Sequence, residues 1–307
     1  MDVNWLQDFV CLARTLNFTR AADERNITQS AFSRRIKALE IWAGTPLIDR
    51  STYPIKLSDA GQDFLPVAKE VTLTLLRNRD DLRARDRGGL RFHGFAAPHS
   101  VSITHLAPHL KALEETDPAL RTRVVSDNLN TCCQLLSDGD CEFLMCYRHP
   151  HIPLTLDEQE FARIDLGPER LVPVVIPDET GAPAWVLPGR RSARIPHLAY
   201  AKGSFLRAVV DHTLDGKMAA LEVRHMDAFA EALKTLTLQG GGISWLSESS
   251  IRSALSFGHL IPAGDEEWYA NLTLSVFTAP ERLDRTGARI WSYFKDIRGG
   301  GTTLPTD

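Results

Sequence analysis

No stretch of about 18 consecutive apolar residues occurs in the 307 residues, so no transmembrane helix is expected. The first residues, MDVNWLQDF, contain neither a basic n-region nor an apolar core. A secretory signal is therefore not expected, and the expected location is cytoplasmic, with no membrane partner. Cysteine is sparse: there are five, and four of them (Cys132, Cys133, Cys141 and Cys146) fall in one short segment without any C-x-x-C pair. That pattern argues against both a disulfide framework and a structural zinc site. The nucleophile-elbow, H-E-x-x-H and P-loop patterns are all missing, so neither an enzyme nor a bound cofactor is expected. His93, His99, His105 and His109 are close in sequence, but nothing shows them converging, and no metal site is expected.

What is present is an ordinary globular balance, 43% hydrophobic and 24% charged, with length for two or three domains. There is no internal repeat and no low-complexity tract. The net charge of -4 is unevenly spread. Residues 1–58 hold eight Lys/Arg against six Asp/Glu, leaving the rest of the chain at -6. A slightly basic end on an acidic body suits a nucleic-acid contact confined to that end.

The N-terminal pattern is helical. Trp5, Phe9, Leu12, Ala13 and Leu16 follow helical spacing, and Thr19–Arg25 makes a second short helix that Asn26 can close. A third helix starts at Thr28, a good N-cap, with Ile27 and Phe32 spaced as a hydrophobic staple. Phe32, Ile36 and Leu39 form its apolar stripe, while Gln29, Ser30, Ser33, Arg34 and Lys37 share the other face. Two short helices and a third with a polar, basic face describe a helix-turn-helix. The segment LIDRSTYPIKLS then alternates around a turn with Pro54, which suits a two-stranded wing.

Ser58 can cap a long helix from Asp59 to about Arg87, in which Phe64, Ala68, Val71, Leu75 and Leu82 form a coiled-coil-like seam. Pro66 is expected to kink it or delay its start. The seam can pack within the chain or form a dimer; a two-fold dimer matches a palindromic DNA site. RDRGG (85–89) reads as a hinge, and beyond it strand-like and helical runs alternate, implying α/β architecture with mainly parallel sheets.

These residues resemble the LysR-type transcriptional regulators. FVCLARTLNFTRAADERNITQSAFSRRIKALE, the wing segment from Gly44 to Arg50 and LSDAG (57–61) carry the resemblance. Further along, LLSDGDCEFLM is similar to the helix-then-strand segment of the family's effector domain, with Glu142 where aspartate is usual. QGGGISWLSESSI resembles its G-x-G-I-x-x-L-P element, with Ser247 in place of proline. GGGISW, AAPHS and AKGSF resemble a branch of the family associated with hypochlorite and oxidative stress, although Met226 is the only methionine at an expected cleft position. The resemblance implies an all-α winged helix-turn-helix (1–58), a linker and dimerisation helix with hinge (59–89), and an α/β effector domain (90–307). That last domain is expected to resemble type 2 periplasmic binding proteins, with subdomain I at about 90–161 plus 266–297 and subdomain II at about 162–265. It also implies double-stranded DNA and a small-molecule effector as partners, and self-association into dimers and tetramers.

Gln29, Ser30, Ser33 and Arg34 are the expected base-reading residues; Gln pairs with adenine and Arg with guanine. Arg35, Lys37 and Arg50 are the expected phosphate contacts. In the cleft, Ser100, Thr104, Asn128, Lys202, Gly203, Ser204, His225 and Met226 follow strand ends, where helix N-termini favour an anion or small carboxylate. A redox-responsive regulator acting through the cysteines or Met226 is the alternative. A solute-binding protein of similar fold would need an export signal and no helix-turn-helix.

Overall fold

The structure, a computed structural model, describes residues 2–51, 54–86, 91–156, 160–190 and 192–300. The chain divides into two compact units, residues 1–91 and 92–307. The expected hinge residues 87–89 and the wing tip at 52–53 lie outside the described residues, as does the side chain of Leu82.

The first unit is helical. Its helices are α1 (Val3–Thr15), α2 (Phe18–Glu24), α3 (Gln29–Ala43) and α4 (Asp59–Asp86). The Asn17 side chain accepts the Thr19 and Arg20 N–H groups at the head of α2, and Thr28 accepts the Ala31 N–H at the head of α3. Asn26 takes the left-handed conformation (φ 54) between them, a backbone state that Asn tolerates. Leu6, Phe9, Leu12, Ala21, Ala22, Phe32, Ile36 and Leu39 form the core. A wing pairs β1 (Ile48–Asp49) antiparallel with β2 (Lys56–Leu57). Ser58 accepts the Gly61 N–H, and α4 starts at Asp59, ahead of Pro66 rather than after it. Of the expected seam, Phe64, Ala68 and Val71 pack into this core; Leu75 is exposed, as is Val67 beside it.

The second unit begins with β3 (His93–Pro98), followed by α5 (His99–Val101), a π-turn at Ser102–Leu106 and α6 (Ala107–Thr116). Next come β4 (Thr122–Asp127), α7 (Leu129–Asp138), β5 (Phe143–Arg148) and β6 (Ala162–Val175). These are followed by β7 (Ile195–Tyr200), α8 (Phe205–Leu214), β8 (Leu221–Asp227), α9 (Ala230–Leu238), β9 (Ser244–Ser247) and α10 (Glu248–Ser256). Last are β10 (Ile261–Pro262), β11 (Ala270–Thr278) and α11 (Arg285–Gly300).

One lobe is built on β3 flanked by β4 and β5, all parallel; in the other, β7 and β8 pair parallel. The sheets are more mixed than the alternation of elements suggests. The long strands β6 and β11 run antiparallel to each other, and β6 also pairs antiparallel with β9 and β10. A strand that passes from one lobe to the other and its return strand must run in opposite directions, and a bare α/β alternation does not show that. Among the described residues no helix is long and apolar enough to cross a membrane.

Candidate DNA-contact face and effector cleft

The cap and stripe of α3 turn Phe32, Ile36 and Leu39 into the core, so Gln29, Ser30, Arg34 and Lys37 are exposed and Ser33 is half-buried. Among the described residues the side chains of Gln29, Arg34 and Lys37 have no hydrogen bond or ion pair and are available to a partner. The Ser30 hydroxyl lies 3.2 Å from that of Thr28, so it shares the cap.

Two expected phosphate contacts are engaged elsewhere. Arg35 Nη1 is 3.3 Å from a carboxylate oxygen of Asp8, a residue with no solvent exposure, and Arg25 Nε donates to the other oxygen at 2.8 Å. Arg50 donates to Glu40 at 2.9 Å, and its guanidinium lies 5.4 Å from the centre of the Phe18 ring. The other Glu40 oxygen accepts the Leu47 and Ile48 N–H groups, which anchors the wing. Carboxylates this enclosed require partners, and Arg35 and Arg50 supply them. The sequence pattern of α3 alone gave no sign of either pairing.

In the second unit, the C-terminal ends of β3, β4 and β5 and those of β7 and β8 open on one cavity of about 370 Å³. Helices α5, α7, α8 and α9 all begin at its walls, and helix N-termini are favourable surroundings for negative charge. Ser100, Asn128, Lys202, Gly203 and Ser204 are brought together in its lining. Ser100 is buried, caps no helix, and its hydroxyl has no hydrogen bond among the described residues. Asn128 and Ser204 are N-caps, accepting the Thr131 and Arg207 N–H groups. The Lys202 ammonium is exposed and has no ion pair among the described residues.

Thr104, His225 and Met226 do not line the cavity. The Thr104 hydroxyl turns back onto the Ser100 carbonyl. His225 and Met226 lie within β8, on the exposed edge of its sheet, and the cavity wall begins only beyond the strand end, at Ala228. The four nearby histidines are dispersed. His93 bonds Glu142 at 2.9 Å, His99 packs on Phe229 in the cavity wall, His105 meets Glu169, and His109 meets Tyr293.

The sequence reading missed the aromatic lining: Tyr147, Tyr200, Phe205 and Phe229. Tyr147 is the next-to-last residue of β5 and Tyr200 the last of β7, and position near a strand end was the available signal. Their hydroxyls are bonded elsewhere, Tyr200 to the Trp245 carbonyl and Tyr147 to His105 at 2.9 Å. His105 is in turn 3.1 Å from buried Glu169, which also accepts the Ser249 hydroxyl and the Arg170 and Ser249 N–H groups. Burial opposes ionisation of Glu169, but the His105 and Ser249 hydrogen bonds outweigh it and hold the carboxyl below its usual range.

All five cysteines are buried. Burial pushes the Cys132 thiol up to about 11 and Cys141 higher still, so neither has thiolate character near neutrality. Among the described residues, one set of three has potential ligand atoms all within 4.8 Å of one another: His93, Glu142 and Asp284. These groups already bond one another or the backbone, Glu142 accepting the Gly94 N–H and Asp284 the Gly287 N–H.

Residues 3–62 match the bacterial regulatory helix-turn-helix proteins of the lysR family, and residues 86–296 match the LysR substrate binding domain. The chain is 26% identical over 298 residues to the HTH-type transcriptional regulator YjiE of Escherichia coli K12, covering 97% of this chain and 95% of that protein. Among solved structures it resembles full-length HypT of Salmonella typhimurium, a hypochlorite-specific LysR-type regulator. The identity is 28% and the TM-score 0.60, over 98% of this chain and 99% of HypT. It is also similar to Vibrio fischeri DarR in complex with DNA, at 26% identity and TM-score 0.59, over 96% and 98% of the two chains. An exposed polar helix face in one unit and a two-lobed cleft in the other thus match this family along nearly the whole chain: the protein belongs to the LysR family of non-enzymatic, DNA-binding transcriptional regulators with a C-terminal effector-binding domain.

Proposed function

We propose that this regulator responds to a small anion or carboxylate held in the cavity between Ser100 and Lys202. The observation that carries the reading is the meeting of four helix N-termini around the hydroxyl of Ser100 and the ammonium of Lys202, neither of which has a side-chain partner among the described residues. Asp127 also lines the cavity, but one of its carboxylate oxygens already accepts the Asn128 N–H and amide. The aromatic and aliphatic walls suit a compact apolar body behind the anionic group. Titration calorimetry with a panel of small carboxylates and their neutral amides tests this. Tighter binding of the acids, weakened about tenfold by Lys202→Ala, is the expected result, and equal binding of acids and amides overturns it.

On the DNA side, Gln29, Ser30, Ser33 and Arg34 read bases, and Lys37 grips phosphate. Arg35 and Arg50 act mainly as struts beneath that surface, which the Asp8 and Glu40 pairings support. The partition into a DNA-binding domain (1–58), a linker helix with hinge (59–89) and an effector domain of two subdomains (90–307) accompanies this reading. Dimerisation runs along α4, where Val67 and Leu75 are exposed apolar residues, and dimers pair into tetramers. The site of action is the cytoplasm.

The likeness to hypochlorite-specific HypT favours a second reading, oxidant sensing. With the cysteines buried, it falls on Met226, which is 53% exposed. Unchanged DNA affinity of Met226→Leu under mild oxidant, matching the parent protein, removes that reading.

A further inference from the structure

Three imidazoles from separated parts of the sequence come together beside the cleft. His149 and His151 follow β5 in a tight turn, closed by the Ile152 N–H donating to the His149 carbonyl at 3.3 Å. Pro150 and Pro153 limit the freedom of this turn. His212 stands in the last turn of α8, whose Ser204-capped N-terminus lines the effector cavity. The ring centres are 5.7 Å apart for His149 and His151, 5.2 Å for His149 and His212, and 5.0 Å for His151 and His212.

We propose that His149, His151 and His212 form a binding site for a divalent transition-metal ion of the zinc class, joining the β5 lobe to α8 of the other lobe.

The spacing is what carries this assignment. With a Zn–N bond of about 2.0–2.1 Å, a coordinated imidazole has its centre roughly 3.2 Å from the ion, and two ligands at a tetrahedral angle stand roughly 5.2 Å apart. The three measured separations bracket that value. The ring nitrogens do not converge as the rings now pack, but His151 and His212 are exposed and turn about their side-chain bonds without displacing core residues. His149 is half-buried and is oriented by the His151 N–H, which donates to its Nδ1 at 3.2 Å; coordination through Nδ1 replaces that bond. An all-imidazole donor set selects zinc, nickel or copper over magnesium. Three protein ligands leave a fourth position open to water or an exogenous group. No sequence motif announces the set, because its members come from the turn after β5 and from α8, and only the packing of the two lobes brings them together.

The test is titration calorimetry of the untagged, full-length, chelator-treated protein with zinc chloride, and in parallel with magnesium chloride. One zinc per chain is expected, with magnesium not bound. His149→Gln and His212→Gln, one from each lobe, are each expected to weaken zinc binding at least tenfold while far-UV circular dichroism is unchanged. No saturable zinc binding by the parent protein, equal binding of magnesium, or weakening confined to the variant of one lobe overturns the site. Zinc binding unchanged in both variants also overturns it, because the ion then sits elsewhere.

Discussion

Asp8 and Arg35, 27 residues apart, are joined at 3.3 Å, a carboxylate without solvent exposure bound to a residue on α3, the helix whose exposed face carries Gln29, Arg34 and Lys37. Arg25 completes the pair from α2's C-cap, and its guanidinium also donates to Gln7. One buried charge thus ties α1 to the elements on both sides of the helix-turn-helix bend.

Asp8→Ala is therefore expected to destabilise the helical unit by roughly 2–4 kcal/mol, since it leaves two arginines without their buried partner; both are partly exposed, which moderates the cost. Urea denaturation of parent and variant measures this. A change within about 0.5 kcal/mol, as at an ordinary surface site, contradicts the strut.

Arg34→Ala and Arg35→Ala should separate two kinds of arginine on one helix. Replacing Arg34, exposed and with no ion pair among the described residues, is expected to remove sequence discrimination with stability unchanged; replacing Arg35 is expected to lower stability. Lys37→Ala should weaken all sequences alike and reduce the salt slope by about one. Fluorescence anisotropy on an in vitro-selected site and on random DNA, across a salt series, separates the Arg34 and Lys37 variants, and urea denaturation reads the Arg35 variant.

Gly61, in the LSDAG segment, has a physical reason to be glycine. A Cβ there would lie 2.0 Å from the Leu47 carbonyl oxygen, which is backbone and cannot swing aside. Gly61→Ala is expected to cost roughly 2 kcal/mol or more by forcing the wing away from α4. A thermal melt that matches the parent would show that the wing gives way freely.

Acid should weaken the effector unit in a defined window. Burial, with smaller contributions from His105 for His109 and from Arg207 for His197, depresses both imidazoles to about 4. Unfolded, each binds its proton near 6.5. Above that pH neither state is protonated and there is no penalty. As pH falls toward 4 the unfolded chain takes up protons that the folded one refuses, so stability declines by up to about 3 kcal/mol per histidine. His109→Leu should flatten the fall between pH 6.5 and 4, as read from denaturant midpoints. An unaltered slope would place the acid sensitivity elsewhere.

Much of the first unit was legible because its determinants are local. The α3 cap, the staple and the Phe32–Ile36–Leu39 stripe lie within a few residues of one another, and helical periodicity assigns their faces. The positions after β3, β4 and β7 that line the cavity were legible for a related reason: strand ends and helix starts mark the cleft. The same reasoning overreached at His225 and Met226, since β8 continues to Asp227 before its chain enters the cavity wall.

By itself, then, the sequence determined the helix-turn-helix, the α/β character of the remainder and which segments border the cleft, because cap chemistry and hydrophobic period act over one or two turns. Only the tertiary structure decided that Arg35 and Arg50 serve Asp8 and Glu40, that the Ser100 hydroxyl has no partner among the described residues while Asn128 and Ser204 are consumed as caps, and that His149, His151 and His212 meet. Charge pairing and desolvation act on distances in space, and until the helices and lobes pack, residues 10 or 27 positions apart have no fixed separation.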